Sequence, residues 1–139
     1  MVNQEYLDLI EKAKYARVNA YAPYSGYKVG AALLCKNGTV FKGANIENSS
    51  YSLTMCAERA AIYNAINNAG DRRSFKAIAI VGGKNNRIDD FAYPCGACRQ
   101  VLSEFCDSKF KIILYNGKEV KVLTLGKLLP EAFSAKNLD

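Results

Sequence analysis

Residues 109–125 read KFKIILYNGKEVKVLTL. Two apolar runs flank Asn116-Gly117, and an Asn-Gly pair between such runs is a strong short-range signal for a β-hairpin. A tight hairpin forces its two strands antiparallel, whereas parallel neighbours need a crossover of about a dozen residues or more. The reading therefore sets the direction of the last two strands. A similar signal lies in residues 27–46, YKVGAALLCKNGTVFKGANI, where the apolar runs surround Lys36-Asn37-Gly38.

The rest of the chain is read outward from these hairpins. Residues 75–83, FKAIAIVGG, form a short apolar run of the kind a buried strand shows. Tyr6, Leu9, Ile10, Ala13, Ala16 and Ala20 recur at helical spacing, which predicts a helix over 3–20 that YAPYSG (21–26) then breaks. A second helix is expected from Met55 to Ala69 with Gly70 as its C-terminal cap, and a third from Cys95 to Cys106. A short helix near LGKLLPEAF (125–133) completes the order αββαβαββα. Strands separated by helices imply a mainly parallel central sheet with helices on its faces, and the hairpins add antiparallel pairs. The expected fold is a three-layer α/β/α arrangement around a mixed five-stranded sheet. No repeat or linker divides the 139 residues, so residues 1–139 are read as a single domain.

Composition removes several classes. Half of the residues are apolar and 23% are charged, as in ordinary globular proteins. No apolar run approaches the ~20 residues of a membrane span. The first sixteen residues form an acid-containing amphipathic pattern, unlike a secretory signal, so the cytoplasm is the expected compartment. The net charge of +6 raises the question of nucleic acid. The basic residues are dispersed, with only Arg72-Arg73 adjacent within DRRSFK, and read as a solvated surface.

Five cysteines in a reducing compartment point to metal binding or catalysis before disulfides. Three of them carry a pattern: C-A-E at 56–58 and P-C-G-A-C-R at 94–99, a C-x38-C-x2-C spacing with no histidine anywhere. Cys95 and Cys98 are i and i+3 at a helix start, where Cβ atoms lie about 5–6 Å apart. Cys56 lies at another helix start, and helix N-termini stabilise thiolates. Two such starts facing each other over a sheet would offer three thiolates to one metal. A closed structural zinc site needs a fourth ligand, here Cys35, Cys106 or a carboxylate; three ligands and an open position is the catalytic pattern. A redox dithiol is the competing reading of C-x2-C. It is disfavoured because the pair follows the third strand and not the first. Cys35, inside AALLCK, and Cys106, late in a helix, read as packing residues.

C-A-E followed by P-C-G-A-C resembles the zinc deaminase signature, with Cys56 where histidine is usual. The all-cysteine form is similar to the small homotetrameric cytidine deaminases. YAPYSGYKVGAALL, FKGANIENSSYSLTMCAERAA, YPCGACRQVLSEF and LLPEAFS resemble segments of that family in the right order, over nearly the whole chain. The resemblance implies one Zn²⁺ per chain on Cys56, Cys95 and Cys98, and hydrolytic deamination of cytidine and deoxycytidine to uridine and deoxyuridine with release of ammonia. It implies Glu58 as the proton shuttle and Arg59 as the arginine that relieves the net −1 of three thiolates on zinc; Arg99, which directly follows Cys98, is read as an assisting donor. Asn45 and Glu47, alternating at a strand end, resemble the pair that binds the ribose and the base side. Tyr27 falls where a phenylalanine commonly packs on the pyrimidine, and Lys28 replaces a frequent proline. Tyr51 and Phe133 resemble aromatics that reach a neighbouring subunit's site, which implies a homotetramer. The hairpin at YNGKEV resembles the enzymes of free nucleosides, so neither nucleic acid nor membrane is expected as a partner. A nucleoside-like antibiotic, or cytosine or adenine within nucleic acid, is the alternative substrate.

Overall fold

The computed structural model describes residues 3–69 and 74–139; the cap expected at Gly70 lies outside them. Helix α1 (Gln4–Arg17) starts where the Asn3 side-chain oxygen accepts the Glu5 N–H at 2.8 Å. That bond satisfies one of the donors a helix start leaves unpaired. Strands β1 (Tyr27–Cys35) and β2 (Val40–Ala44) form the first hairpin. Its loop closes through Gly38 N–H to Cys35 C=O at 3.0 Å and Cys35 N–H to Thr39 C=O at 2.8 Å. Gly38 has φ +93°, and Asn37 is not in the left-handed region. This is the three-residue hairpin, a turn followed by a left-handed glycine.

Helix α2 (Ala57–Ala69), strand β3 (Phe75–Lys84) and helix α3 (Gly96–Phe105) follow. Strands β4 (Lys111–Tyr115) and β5 (Val120–Thr124) form the second hairpin, and helix α4 (Leu125–Leu128) comes next. The turn sits one residue later than the Asn-Gly pair suggests. Asn116 N–H bonds Glu119 C=O at 3.3 Å, which leaves Gly117-Lys118 as the central pair. Gly117, with φ +95°, occupies the first position, where a type II′ turn requires glycine. The Asn116 side chain instead accepts the Lys118 and Glu119 N–H groups at 2.9 and 2.6 Å.

The five strands are ordered β2-β1-β3-β4-β5. Only β3 and β4 are parallel neighbours; β1 pairs antiparallel with both β2 and β3, and β5 antiparallel with β4. The mixed sheet is as expected, but "mainly parallel" is corrected. The physical reason lies in adjacency. The helical crossovers do keep β2, β3 and β4 running the same way, yet β1 is inserted between β2 and β3, so their common direction does not make them neighbours.

Helices cover both faces. On one, Leu9, Ile10 and Ala13 of α1 pack on Ala32, Leu34, Ala77, Ala79 and Val81. On the other, Ala57, Ala61, Ile62 and Leu102 of α2 and α3 pack on Leu33, Ile78, Ile80, Ile112 and Leu114. Helix α2 lies so close to β2 that a Cβ on Gly43 would fall 2.4 Å from Ala61 N and 2.5 Å from Ala57 O. That contact sets the height of the α2 N-terminus above the sheet. Among the described residues no helix is long and apolar enough to cross a membrane.

Candidate active site

Two helix starts meet above the sheet. Cys56 directly precedes α2, and its carbonyl accepts the Ala60 N–H at 3.0 Å. Cys95 is the N-cap of α3, extended at φ −69° and ψ 168°, and its side chain makes no capping bond. Cys98 sits one turn along α3 and is fully buried. The Sγ atoms of Cys56 and Cys95 are 3.8 Å apart, those of Cys95 and Cys98 3.5 Å, and all three lie within 4.8 Å of one another. Thiolates at ~2.3 Å on a tetrahedral zinc are about 3.8 Å from each other, so the donor set fits the metal with little movement. Cys35 and Cys106 stand outside this group. Cys35 belongs to the core, and burial pushes the Cys106 thiol up to about 12.

The charge distribution around the sulfurs is uneven. Cys56 is brought down to about 5, first by the neighbouring Cys98 thiol and then by Arg59, whose Nη2 donates to Cys56 Sγ at 3.4 Å. Cys98 is pushed up, chiefly by Cys56 and by burial. Arg59 Nε is buried without an acceptor. A cation with a spare donor beside three sulfurs suits a ligand set that carries one negative charge more than the metal neutralises. Glu58, in the first turn of α2, is only 4% exposed, and burial pushes its carboxyl up to about 7.

Cys56, Cys95 and Glu58 open onto one cleft of about 240 Å³, whose other walls include Asn45, Glu47 and Tyr27. Asn45 is buried, its amide bridging the strand beside it: Oδ1 accepts Val29 N–H at 2.9 Å and Nδ2 donates to Tyr27 C=O at 2.8 Å. Glu47 is held at the rim by the Ser25 hydroxyl and by the Tyr24 and Ser25 N–H groups at 3.0 and 3.2 Å. The Ser25 hydroxyl is the main reason its carboxyl stays below its ordinary range.

Tyr51 and Phe133 are not brought to this cleft. They are 71% and 59% exposed, and Tyr51 stacks edge-on with Tyr24 instead. Arg99 donates to the carbonyls of Pro94 and Leu128 at 2.7 and 2.9 Å, which ties α3 to α4 and directs it away from the sulfurs. Three residues escaped the sequence reading. Ser25 and Tyr93 line the cleft, and their only signal was their place beside the turn and the P-C-x2-C motif. Arg17, buried in the last turn of α1, donates to the carbonyls of Lys28, Gly83, Asn85 and Arg87 at 2.7–2.9 Å. Helical spacing alone gave no sign of it.

Comparison with known proteins agrees with this geometry. Residues 3–114 match the family described as the cytidine and deoxycytidylate deaminase zinc-binding region. The chain is 48% identical over 131 residues to a cytidine deaminase of Sporosarcina psychrophila, covering 94% of this chain and 92% of that one. It is 31% identical over 132 residues to a blasticidin-S deaminase of Bacillus cereus, covering 93% and 92%. The crystal structure of cytidine deaminase from Burkholderia pseudomallei superposes with a TM-score of 0.83 at 47% identity, over 96% of this chain and all of that one. A sulfur triad at two helix starts, a buried glutamate beside it and likeness over nearly the full length agree: the chain belongs to the cytidine and deoxycytidylate deaminase family.

Proposed function

We propose that this protein deaminates cytidine and deoxycytidine hydrolytically to uridine and deoxyuridine, as a zinc-dependent enzyme of pyrimidine salvage. The observation that carries the reading is the approach of three cysteine sulfurs to within 4.8 Å of one another, with the buried Glu58 opening onto the same cleft. Cys56, Cys95 and Cys98 would hold the metal. Zinc, when bound, acidifies water so that hydroxide is available at neutral pH. Glu58 takes one proton of the attacking water and delivers it to ring N3; it then takes the remaining proton from the new C4 hydroxyl and passes it to the amino group, which leaves as ammonia as the C4 carbonyl forms. A carboxyl near 7 can do both, because neither its acid nor its base form is scarce at neutral pH. Arg59 offsets the excess thiolate charge. Glu47, ionised and anchored by Ser25, accepts from ribose hydroxyls. Asn45 has one amide hydrogen beyond its bond to Tyr27, and it faces the same ligand. Tyr27 packs on the pyrimidine.

Tyr51 and Phe133, exposed and outside their own chain's cleft, complete the site of a neighbouring copy in a cytoplasmic homotetramer. The antiparallel β4–β5 pair supports free nucleosides, and not nucleic acid, as substrate.

Purified protein mixed with cytidine and with deoxycytidine tests the reading, by ultraviolet absorbance and ammonia release. Turnover of both is expected, with about one zinc per chain by elemental analysis, and Cys95→Ala should lose metal and turnover together. No turnover of either nucleoside, or full zinc in Cys95→Ala, overturns it. The likeness to a blasticidin-S deaminase favours one second reading, a nucleoside-like antibiotic as substrate. Preference for blasticidin S over cytidine in the same assay would establish that reading, and uracil formation within an oligonucleotide would establish a nucleic-acid deaminase instead.

A further inference from the structure

Strand β5 places Lys121 on the face of the sheet that α2 and α3 cover. Lys121 stands opposite Leu114 of β4, two residues before Leu123, and both leucines pack into the core of that face. The alternation of the strand calls for an apolar residue there. Lys121 instead runs its stem along the core edge and carries its ammonium to Tyr93, donating to the phenolic oxygen at 2.7 Å. The same nitrogen lies 4.4 Å from the centre of the Phe91 ring and 5.3 Å from that of Tyr93, and the two rings are 6.2 Å apart. Lys121 forms no ion pair among the described residues. Its cation is held by the face of Phe91 and the hydroxyl of Tyr93. Tyr93 in turn lines the cleft, together with Tyr27 and Cys95.

The geometry points to Tyr93 as a further substrate-contacting residue and to Lys121 as the positioning residue that fixes its ring. This rests on the reading of the cleft as the nucleoside site. A tyrosine that is 48% exposed at a cleft mouth would otherwise turn freely about its side-chain bonds. Tied at its hydroxyl and backed by Phe91, the ring offers the nucleoside a fixed aromatic wall. Its hydroxyl oxygen accepts from Lys121, so the ring contributes shape and apolar contact, with the O–H left as its one polar donor. Fixing it before the substrate arrives lowers the entropy lost on binding, an effect that falls on KM more than on kcat.

The test is steady-state kinetics on cytidine with the zinc-loaded protein and the variants Lys121→Met, Tyr93→Phe, the double variant and Tyr93→Ala, with melting temperature and zinc content on each sample. Lys121→Met and Tyr93→Phe should each raise KM about 3- to 10-fold with kcat within twofold, the size of one hydrogen bond. The double variant should be little worse than either single one, since both remove the same bond. Tyr93→Ala should raise KM further. A structural role alone would lower the melting temperature and leave KM unmoved. Unchanged KM in Lys121→Met, strictly multiplicative effects in the double variant, or a fall in kcat at constant KM overturns the inference while wild-type turnover leaves the assigned activity standing. Absence of wild-type turnover overturns both.

Discussion

Among the described residues, each face of the sheet buries one charged side chain, and the two are treated in opposite ways. Under α1, the guanidinium of Arg17 meets four backbone carbonyls and no carboxylate. Its Nε and Nη2 join the start of β1, the end of β3 and the loop that follows. Under α2, Glu58 is equally buried, but it opens onto a cleft and burial lifts its carboxyl to about 7. Burial by itself does not mark a functional residue. A buried charge whose hydrogen bonds run to the backbone packed around it holds the fold. One that pays for desolvation without full compensation is held ready for a proton.

Replacing each charge by a neutral side chain of similar size sharpens the contrast. Glu58→Gln should lower turnover by at least about 10²–10⁴-fold, the range of a general acid–base group. Zinc content and melting temperature should stay at or above wild type, because no ligand is lost and a poorly compensated charge is removed. Retained turnover, or lost zinc, would break the comparison on that side. Arg17→Met should do the reverse. Four carbonyls lose their donor, so unfolding free energy should fall by about 3 kcal/mol in denaturant titration. The protein that remains folded should turn over cytidine within a few-fold of wild type. A large kcat defect at unchanged stability would place Arg17 on the functional side.

The smallest effect is expected at the rim. The Ser25 hydroxyl holds the Glu47 carboxyl below its ordinary 4.5. A carboxylate whose folded value is depressed adds stability that is fully present above its unfolded value and is lost as pH falls through the folded one. Melting curves of wild type and Ser25→Ala should therefore differ slightly at neutral pH and converge as pH drops below 4.5. A constant gap across that range would mean that the Ser25–Glu47 bond contributes nothing through ionisation.

Much of this architecture was legible in residues 27–46 and 109–125, because a hairpin is a local decision. Both bends fall where the glycines allow a positive φ, and the register follows from the turn. The helix starts at Cys56 and Cys95 were legible for a similar reason, since the motif and the helix begin within one turn of each other. The exact turn at Gly117-Lys118 was not, because Asn116 can either occupy the left-handed position or cap the turn with its side chain, and the two-letter signal is the same.

The sequence by itself determined the element order, the two antiparallel hairpins and the sulfur-and-glutamate set of the candidate site, because each rests on spacing within a few residues or on a motif whose chemistry is strict. Tertiary structure alone decided that β1 would separate β2 from β3, that Arg17 would be buried on carbonyls and Arg99 turned away from the sulfurs, and that Ser25 and Tyr93 would wall the cleft while Tyr51 and Phe133 would not. Those outcomes depend on contacts between segments far apart in the chain. There the cost of closing a loop and the fit of packed surfaces choose among partners that local pattern leaves equivalent.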